Sequence, residues 1–198
     1  MMPQFPVNLE LSGRRVLVVG AGRIALRKTD QLLSCGASVV VVAPAFIPDF
    51  ASRPVVRLER PFEVSDLDDA WLVITATGVR AVDQLVHDEA NRRRIWVNSA
   101  DDPERCSFTL PAVVRRGRLM VTTSTAGASP ALSSFLRSRL GEILTPEWSD
   151  VVEELSKRRD EFHRDGISTE DVDWSPILAE VLDRFGVRLP VPLGRIEA

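Results

Sequence analysis

Two glycines and an alanine at fixed spacing carry the clearest chemical signal in this sequence of 198 residues. The motif Gly20-x-Gly22-x-x-Ala25 follows the apolar run Arg15–Val19 and precedes a helical pattern. Glycine at 20 permits a tight turn, glycine at 22 lets the backbone approach a pyrophosphate, and Ala25 allows close packing of a helix whose N-terminus faces the anion. In this strand-to-helix context the motif predicts dinucleotide binding, and the alternative is a tight turn without a ligand.

The second strand lacks the acidic residue that usually ends it and binds the adenine ribose. The strand is predicted over Ser38–Ala43 and runs into Pro44 and Ala45, while Asp49 follows too late to fill that role. No arginine or lysine stands there for a 2′-phosphate either. The motif therefore leaves the choice between NAD and NADP open. The lack of a cation favours NAD, with the ribose held by the backbone near Pro44 and Ala45.

Arginine is concentrated in the middle of the chain. The stretch Arg105–Arg139 carries six arginines, no lysine and no acid, although the whole chain has a net charge of −3. Because guanidinium groups form forked hydrogen bonds to carboxylates and phosphates, this stretch is a candidate surface for an anionic ligand. The alternative is a solvated face whose partners lie elsewhere in the fold.

Strands and helices alternate over the first half of the chain. This order is typical of an open parallel sheet wrapped by helices. Strands are predicted at Arg15–Val19, Ser38–Ala43, Val55–Leu58, Trp71–Ala76 and Ile95–Asn98, and helices at about Ile24–Ser34 and Ala81–Arg93.

The pattern changes after Asp102-Pro103. The runs FTLPAVV and LMVTTST flank Arg115–Arg118 and predict the two strands of a hairpin. Ser129-Pro130 then opens a helix, because serine is a favoured N-cap and proline suits the first helical position. From Pro146 the pattern is acidic and helical, with a further helix over Pro176–Phe185.

Several classes of protein are disfavoured by the sequence. No apolar run approaches the ~18 to 20 residues of a membrane-spanning helix, and the first residues do not resemble a signal peptide, so we expect a cytoplasmic protein. The two cysteines and two histidines show no metal-ligand spacing, which speaks against a zinc site or a disulfide framework. The negative net charge and the lack of a recognisable DNA-reading helix speak against nucleic-acid binding.

Six segments together resemble the precorrin-2 dehydrogenase family, the dehydrogenase part of siroheme synthase. The segments are GAGRIALRK, VVVVAP, WLVITAT, VNSADDPERCSF, LPAVVRRGRL and STAGASPAL, and the resemblance spans about Phe5 to Leu144. It implies NAD-dependent oxidation of precorrin-2 to sirohydrochlorin, in some members coupled to ferrous-iron chelation, in a homodimer joined through the central segment. It does not extend to the methyltransferase part of longer siroheme synthases, so we expect no synthesis of precorrin-2 by this chain.

These observations predict an α/β fold: a Rossmann-like parallel sheet with a small dimerisation region and a C-terminal helical tail. We assign residues 1–104 to an NAD-binding domain, 105–145 to dimerisation and substrate binding, and 146–198 to the helical region. Two rival functions remain, a chelatase that inserts iron or cobalt into a tetrapyrrole and a non-catalytic nucleotide-sensing module.

The resemblance also implies particular site residues. The family's VNxxD pattern places a general base or proton shuttle at Asp101, with a simple turn at Asp102-Pro103 as the alternative reading. The substrate is a tetrapyrrole with eight carboxylates, which the arginine-rich stretch and nearby hydroxyls would receive. The expected contacts are Gly20, Gly22, Arg23, Ile24, Pro44, Ala45 and Thr77 for the cofactor, and Arg116, Arg118, Ser124, Thr125 and Ser129 for the substrate.

The chain departs from the family pattern at three positions. The glycine loop has Ala21 where the family often has a third glycine, at a position of the motif that tolerates other residues. Gly78 follows Thr77 where an acidic residue is common, and Asp83 stands where an asparagine is frequent. The last two departures concern the details of ribose and substrate contact.

Overall fold

The structure is a computed structural model that describes residues 4–100 and 102–188. The described residues form two compact units, which divide between Leu110 and Pro111. Within the described residues, the first unit contains a five-stranded sheet and two α-helices, and the second contains a two-stranded hairpin and three α-helices. The roles assigned above to three stretches of the chain stay predictions.

The first unit is a doubly wound parallel sheet. All four strand pairs are parallel, in the order β3-β2-β1-β4-β5. The five predicted strands and both predicted helices are confirmed to within one residue at each end. The elements are β1 (Arg15–Val19), α1 (Arg23–Ser34), β2 (Ser38–Ala43), β3 (Val56–Glu59), β4 (Leu72–Thr75), α2 (Arg80–Arg92) and β5 (Trp96–Ser99), with 3₁₀ turns at Pro48–Ser52, Val64–Leu67 and Pro103–Arg105.

Alternate side chains of the central strands supply the two cores of this unit. In β1, Val16 and Val18 pack with Ala25 of α1 on one face, whereas Leu17 and Val19 belong to the cluster on the other face, which includes residues of α2. A parallel sheet covered on both faces needs continuous apolar strands, and the valine-rich sequences of β1 and β2 meet that need.

The second unit is built on an antiparallel hairpin. The predicted hairpin is confirmed, but its first strand begins later than the run FTLPAVV and continues through Arg115 and Arg116, which pair with Met120 and Leu119. Phe108, at the start of that run, packs against the core of the first unit. The last helix begins before Pro176, where the Asp173 carboxylate accepts a hydrogen bond from the Ser175 N–H at 2.9 Å. The elements are β6 (Ala112–Arg116), β7 (Leu119–Thr123), α3 (Pro130–Ile143), α4 (Trp148–Arg164) and α5 (Trp174–Arg184).

Helices α4 and α5 enclose the small core of the second unit. Val151 of α4 packs with Val181 and Leu182 of α5 and with Val187. The hairpin loop lies close to α4, since a Cβ built on Gly117 would overlap the hydroxyl of Ser149. Among the described residues, no helix is both long and apolar enough to cross a membrane.

Candidate dinucleotide-binding site

The carboxyl ends of four parallel strands lie at one edge of the sheet. Val19, near the end of β1, is in register with Val42 of β2 and with Thr75 of β4, and Thr75 is in register with Ser99 of β5. The residues that follow these strands therefore lie along the same edge. In doubly wound sheets ligands bind at this edge, where the strand order reverses, which is here between β1 and β4.

Gly20 makes the turn out of β1 in a conformation that only glycine adopts easily. Its φ is +106°, and its N–H donates to the Val42 carbonyl at 2.8 Å. A Cβ built on Gly20 would overlap the carbonyl oxygen of Ala76, so the turn packs directly against the end of β4. The predicted tight turn is confirmed, and Ala76 is its neighbour across the sheet.

Gly22 leaves the N-terminus of α1 open. It is the N-cap residue, no side chain caps the helix, and the first turn carries no acid. The first backbone bond of the helix runs from the Leu26 N–H to the Gly22 carbonyl, so the N–H groups of Arg23, Ile24 and Ala25 have no partner within the helix. A Cβ built on Gly22 would meet nothing within 4 Å. The backbone donors and the helix dipole together suit a phosphate group.

The end of β2 is apolar and exposed. Pro44 and Ala45 are exposed, and the chain then turns so that the Ile47 N–H donates to the carbonyl of Ala21 at 3.2 Å. Asp49 lies beyond this bond, in a 3₁₀ turn. No carboxylate stands directly at the end of this strand.

The end of β4 carries a small network of side chains. The hydroxyls of Thr75 and Thr77 both donate to Oδ1 of Asp83, which lies in the first turn of α2; the Thr77 distance is 2.7 Å. The Thr77 hydroxyl also accepts the N–H of Val79 at 3.0 Å. This network fixes the connection between β4 and α2.

A half-buried thiol holds the chain after β5. The single S–H of Cys106 is shared between the carbonyls of Ser99 and Asp102, at 3.3 and 3.2 Å from Sγ, and Sγ accepts the Ser99 N–H at 3.3 Å. Burial raises the pKa of Cys106, which keeps it a protonated donor. Asp101, the predicted general base, lies outside the described residues.

Arg105 is part of this same turn and not of an exposed basic surface. It is buried, its guanidinium pairs with the carboxylate of Asp102, and its Nε donates to Oε1 of Gln84 at 2.7 Å. The inclusion of Arg105 in a surface that receives an anionic ligand is therefore wrong, because its donors are used inside the first unit.

In the second unit, the two arginines predicted to bind substrate have different contacts. Arg116 donates to the carbonyls of Leu144 and Gly141, at 2.6 and 2.9 Å, and so satisfies the C-terminal end of α3. Arg118 is exposed and donates to the Ser156 hydroxyl at 3.0 Å. It lines an open groove of about 350 Å³ on this unit, with Val152, Leu155, Ser156, Arg159 and Trp174.

The loop before α3 uses its hydroxyls to shape the backbone. Ser124 Oγ accepts the N–H of Ala126, whose φ is +51°. Thr125 Oγ1 accepts the N–H of Ser129 at 2.9 Å, and Ser129 Oγ caps α3 by accepting the N–H of Leu132 at 3.2 Å. The predicted N-cap role of Ser129 is confirmed. These hydroxyls hold a tight loop at the N-terminus of a long helix.

Comparison with known proteins identifies the family of this chain. Residues 7–112 match the family model NAD_binding_7, described as "Putative NAD(P)-binding". The chain belongs to this NAD(P)-binding family. The predicted dinucleotide cofactor is thereby confirmed.

The similar proteins also bear out the resemblance stated from the motifs. Siroheme synthase 1 of Aeromonas salmonicida is 40% identical over 150 residues, and the siroheme synthase of Escherichia coli strain K12 is 40% identical over 147 residues. These matches cover 74% and 72% of this chain, which spans about a third (32%) of the length of each relative. The solved structure of SirC, precorrin-2 dehydrogenase, is 27% identical, with a TM-score of 0.70 over 92% of this chain and 99% of that chain.

The first unit of this NAD(P)-binding protein brings together the seven residues predicted to contact the cofactor. The set Gly20, Gly22, Arg23, Ile24, Pro44, Ala45 and Thr77 follows three neighbouring strands at one edge of the sheet. The residues present fit a dinucleotide, because open backbone donors face a space that no side chain fills. Contact of each residue with the cofactor remains a prediction.

No motif in the sequence predicts the contacts of Asp83 or Gln84. From the sequence alone, Asp83 is only a departure from the family pattern. The signal available was the spacing of two threonines before a carboxylate in the first turn of a helix.

Within the described ranges, no group of three or more histidine, cysteine, aspartate or glutamate side chains is arranged to hold a metal ion.

Proposed function

We propose that this chain oxidises precorrin-2 to sirohydrochlorin with NAD as the hydride acceptor. The observation that carries this proposal is the likeness to SirC, precorrin-2 dehydrogenase, over nearly the full length of both chains. The glycine turn and the open N-terminus of α1 support it, because they suit the pyrophosphate of a dinucleotide.

The chain's own residues would position the reactants and accept a proton. When bound, NAD accepts the hydride that leaves the tetrapyrrole. The oxidation also releases a proton, and we assign its acceptance to Asp101, which follows β5 in the sequence. The residues on either side of it are anchored: the Ala100 N–H donates to the Thr75 carbonyl at 2.8 Å, and the Asp102 carboxylate pairs with Arg105.

The end of β2 favours NAD over NADP. Ala43, Pro44 and Ala45 offer no cation for a 2′-phosphate. Arg53, the next arginine along the chain, already donates to both carboxylate oxygens of Asp30, at 2.7 and 3.2 Å, and this hydrogen bonding lowers the pKa of Asp30. An arginine held by a charged partner is a poor receptor for a second anion.

We further propose that two copies associate through α3. One face of this helix leaves Leu132, Phe135, Leu136 and Ile143 between 38% and 55% exposed. Apolar side chains recurring at this spacing form a stripe that water solvates poorly. A second copy of the chain would cover it. We also propose a cytoplasmic location, where thiols stay reduced, since no disulfide joins Cys35 and Cys106.

We assign the binding of the tetrapyrrole carboxylates to residues of the second unit. Arg118 and Arg137 are exposed, and Arg118 has further guanidinium donors beyond the one given to Ser156. The loop Ser124–Ser129 adds backbone donors at the N-terminus of α3. We expect Arg116 to contribute less to substrate binding than Arg118, because its guanidinium donates to carbonyls at the C-terminal end of α3.

An anaerobic assay with precorrin-2 and NAD, followed by NADH absorbance, tests the function. The parent chain should form NADH in proportion to sirohydrochlorin. Asp101→Asn keeps size but cannot take a proton, so turnover should fall by at least about a hundredfold. The matched variant Asp102→Asn loses a charged partner of Arg105, and turnover should fall by less than about tenfold.

Three outcomes contradict parts of this proposal. Parental turnover by Asp101→Asn removes that residue from the mechanism, and a collapse confined to Asp102→Asn moves the role to the neighbouring carboxylate. Absence of NADH formation by the parent chain, with iron insertion into sirohydrochlorin in the absence of NAD, makes the protein a chelatase.

A further inference from the structure

Two threonine hydroxyls converge on a single oxygen of Asp83. Thr75 is the last residue of β4 and is fully buried, and Thr77 is half-buried. Both donate to Oδ1 of Asp83, and the Thr77 hydroxyl also accepts the N–H of Val79 at 3.0 Å. Each hydroxyl has one proton to donate. For Thr77 the Val79 carbonyl is also within reach at 3.3 Å, but Oδ1 of Asp83 is the nearer acceptor at 2.7 Å. The carboxylate is therefore the acceptor that orients both hydroxyls.

The contacts of Asp83 differ from those of an ordinary helix-capping carboxylate. Helix α2 begins at Arg80, with Val79 as the N-cap and no side-chain cap. A carboxylate in the first turn is favoured by the helix dipole. Here Oδ1 of Asp83 accepts hydrogen bonds from Thr75 and Thr77, at the end of β4. Asp83 therefore ties the start of α2 to the end of β4.

The segment tied in this way forms the wall of the glycine turn. Ala76 lies between the two threonines, and its carbonyl fills the space that a Cβ on Gly20 would need. The Ala76 N–H donates to the Val19 carbonyl at 2.8 Å, and the Thr75 carbonyl accepts the N–H of Ala100. A change in the Thr75–Thr77 backbone would therefore shift the surface next to Gly20.

We propose that Asp83 is a positioning residue of the dinucleotide site, which fixes Thr75 and Thr77 so that Ala76 closes on Gly20 and Thr77 stays at the edge that receives the dinucleotide. This inference rests on the proposed contact of Thr77 with the cofactor. The role requires an oxygen that accepts two hydrogen bonds and does not require a negative charge. An asparagine amide has the same acceptor at the same place.

Calorimetric titration of NAD into four variants tests the proposal. Asp83→Ala should weaken NAD binding by about tenfold, and Thr77→Val by a similar factor, because each breaks the same link. The double variant should be only about tenfold weaker as well, since coupled residues do not add. Asp83→Asn should stay within about threefold of the parent, because it keeps the acceptor and removes a negative charge near an anionic ligand.

A purely structural role of Asp83 would give a different result. It would lower the free energy of unfolding of Asp83→Ala, measured with urea, and leave the NAD affinity of the folded variant unchanged. Asp88→Ala is the matched control, since Asp88 lies on the same helix, is exposed and accepts a hydrogen bond from Gln84 at 2.8 Å. It should bind NAD as tightly as the parent.

Failure of this inference can be separated from failure of the proposed function. Additive losses in the double variant, parental affinity in Asp83→Ala, or weak binding by Asp83→Asn each overturn the positioning role while leaving the dehydrogenase assay untouched. The predicted affinity pattern without oxidation of precorrin-2 would keep the role of Asp83 and overturn the proposed reaction. A parent chain that does not bind NAD overturns both.

Discussion

The two units bury their apolar residues to very different extents. In the first unit, the four valine and leucine residues Val16–Val19 of β1 are at most 2% exposed, and both faces of the sheet are covered. In the second unit, Ser133 is the only buried residue of α3 among those described, while Phe135 is 55% exposed. The first unit therefore has a complete core, whereas the second presents an apolar helix face that suits association.

The two units also differ in how far their polar side chains are buried. In the first unit, buried or half-buried polar side chains fix the loops around the candidate site, as the Asp83 and Cys106 networks do. In the second unit, Arg139 and Glu142 form an ion pair in which each partner is 61% exposed, and the carboxylate of Glu154, which pairs with Arg158 and Arg184, is the less exposed one at 15%. A substitution should accordingly affect geometry and ligand affinity in the first unit, and association or substrate attraction in the second.

The largest expected effect is that of Gly22→Asp on cofactor binding. A Cβ at this position meets nothing, and an aspartate is a good N-cap, so the fold should be retained. Its carboxylate would, however, occupy the helix N-terminus and repel a pyrophosphate. Calorimetry with NAD should show a loss of at least about a hundredfold, equivalent to about 2.7 kcal/mol. Unchanged affinity would remove Gly22 from the site.

Gly20→Ala is the contrasting substitution two residues earlier. It places a side chain where φ is +106° and where the Ala76 carbonyl already lies. We expect a loss of at least about 2 kcal/mol in the free energy of unfolding, measured with urea. Equal stability of Gly20→Ala and Gly22→Ala would contradict the different roles given to the two glycines.

The next effect concerns the apolar face of α3. Replacing Leu132 and Phe135 together by glutamate puts four charges into a proposed twofold contact. Analytical ultracentrifugation should show a dimer for the parent and a shift to monomer, with the dissociation constant raised by at least about thirtyfold. Ile167→Glu is the control, since it is also exposed (43%) but lies off this helix. A parent chain that sediments as a monomer would contradict the proposal that two copies associate through α3.

A smaller effect separates two arginines of the second unit. Arg118→Ala should raise KM for precorrin-2 by about fivefold, leave KM for NAD unchanged, and weaken the salt dependence of the former. Arg116→Ala should instead lower stability, because the carbonyls of Gly141 and Leu144 lose their donors. If the two variants exchange these effects, the substrate surface is centred on Arg116.

Local patterns were sufficient to predict the first unit. The valines of β1 and β2, the turn at Gly20 and the helix after it are encoded within about 30 residues, the length of a βαβ unit. The interactions that sequence reasoning missed join residues far apart in the chain, such as Arg105 with Gln84 and Arg116 with the end of α3. An arginine-rich stretch does not reveal which guanidinium groups the fold itself will use, because that depends on which carbonyls and carboxylates the tertiary structure brings near.

The last comparison is between a buried and an exposed carboxylate. Asp66 in the first unit is buried, and its two oxygens accept hydrogen bonds from Arg60 at 2.5 and 2.9 Å and from the Glu63 N–H at 2.9 Å. Burial alone would raise its pKa, but these donors outweigh burial and lower it. Glu180 in the second unit is 61% exposed and pairs with Arg158 at 3.0 Å.

Because the pKa of Asp66 is lowered in the folded chain, its contribution is complete above the unfolded value of about 4 and is lost as the pH falls through the folded value. Asp66→Asn should cost about 1 to 2 kcal/mol of unfolding free energy at pH 7, and the difference from the parent should shrink below about pH 4. Glu180→Gln should cost at most about 0.5 kcal/mol, and salt should remove that cost. Urea titrations at pH 7 and pH 3.5, with and without added salt, measure all of these quantities. A Glu180 variant that loses as much stability as the Asp66 variant would contradict the larger stabilising role given to the buried carboxylate.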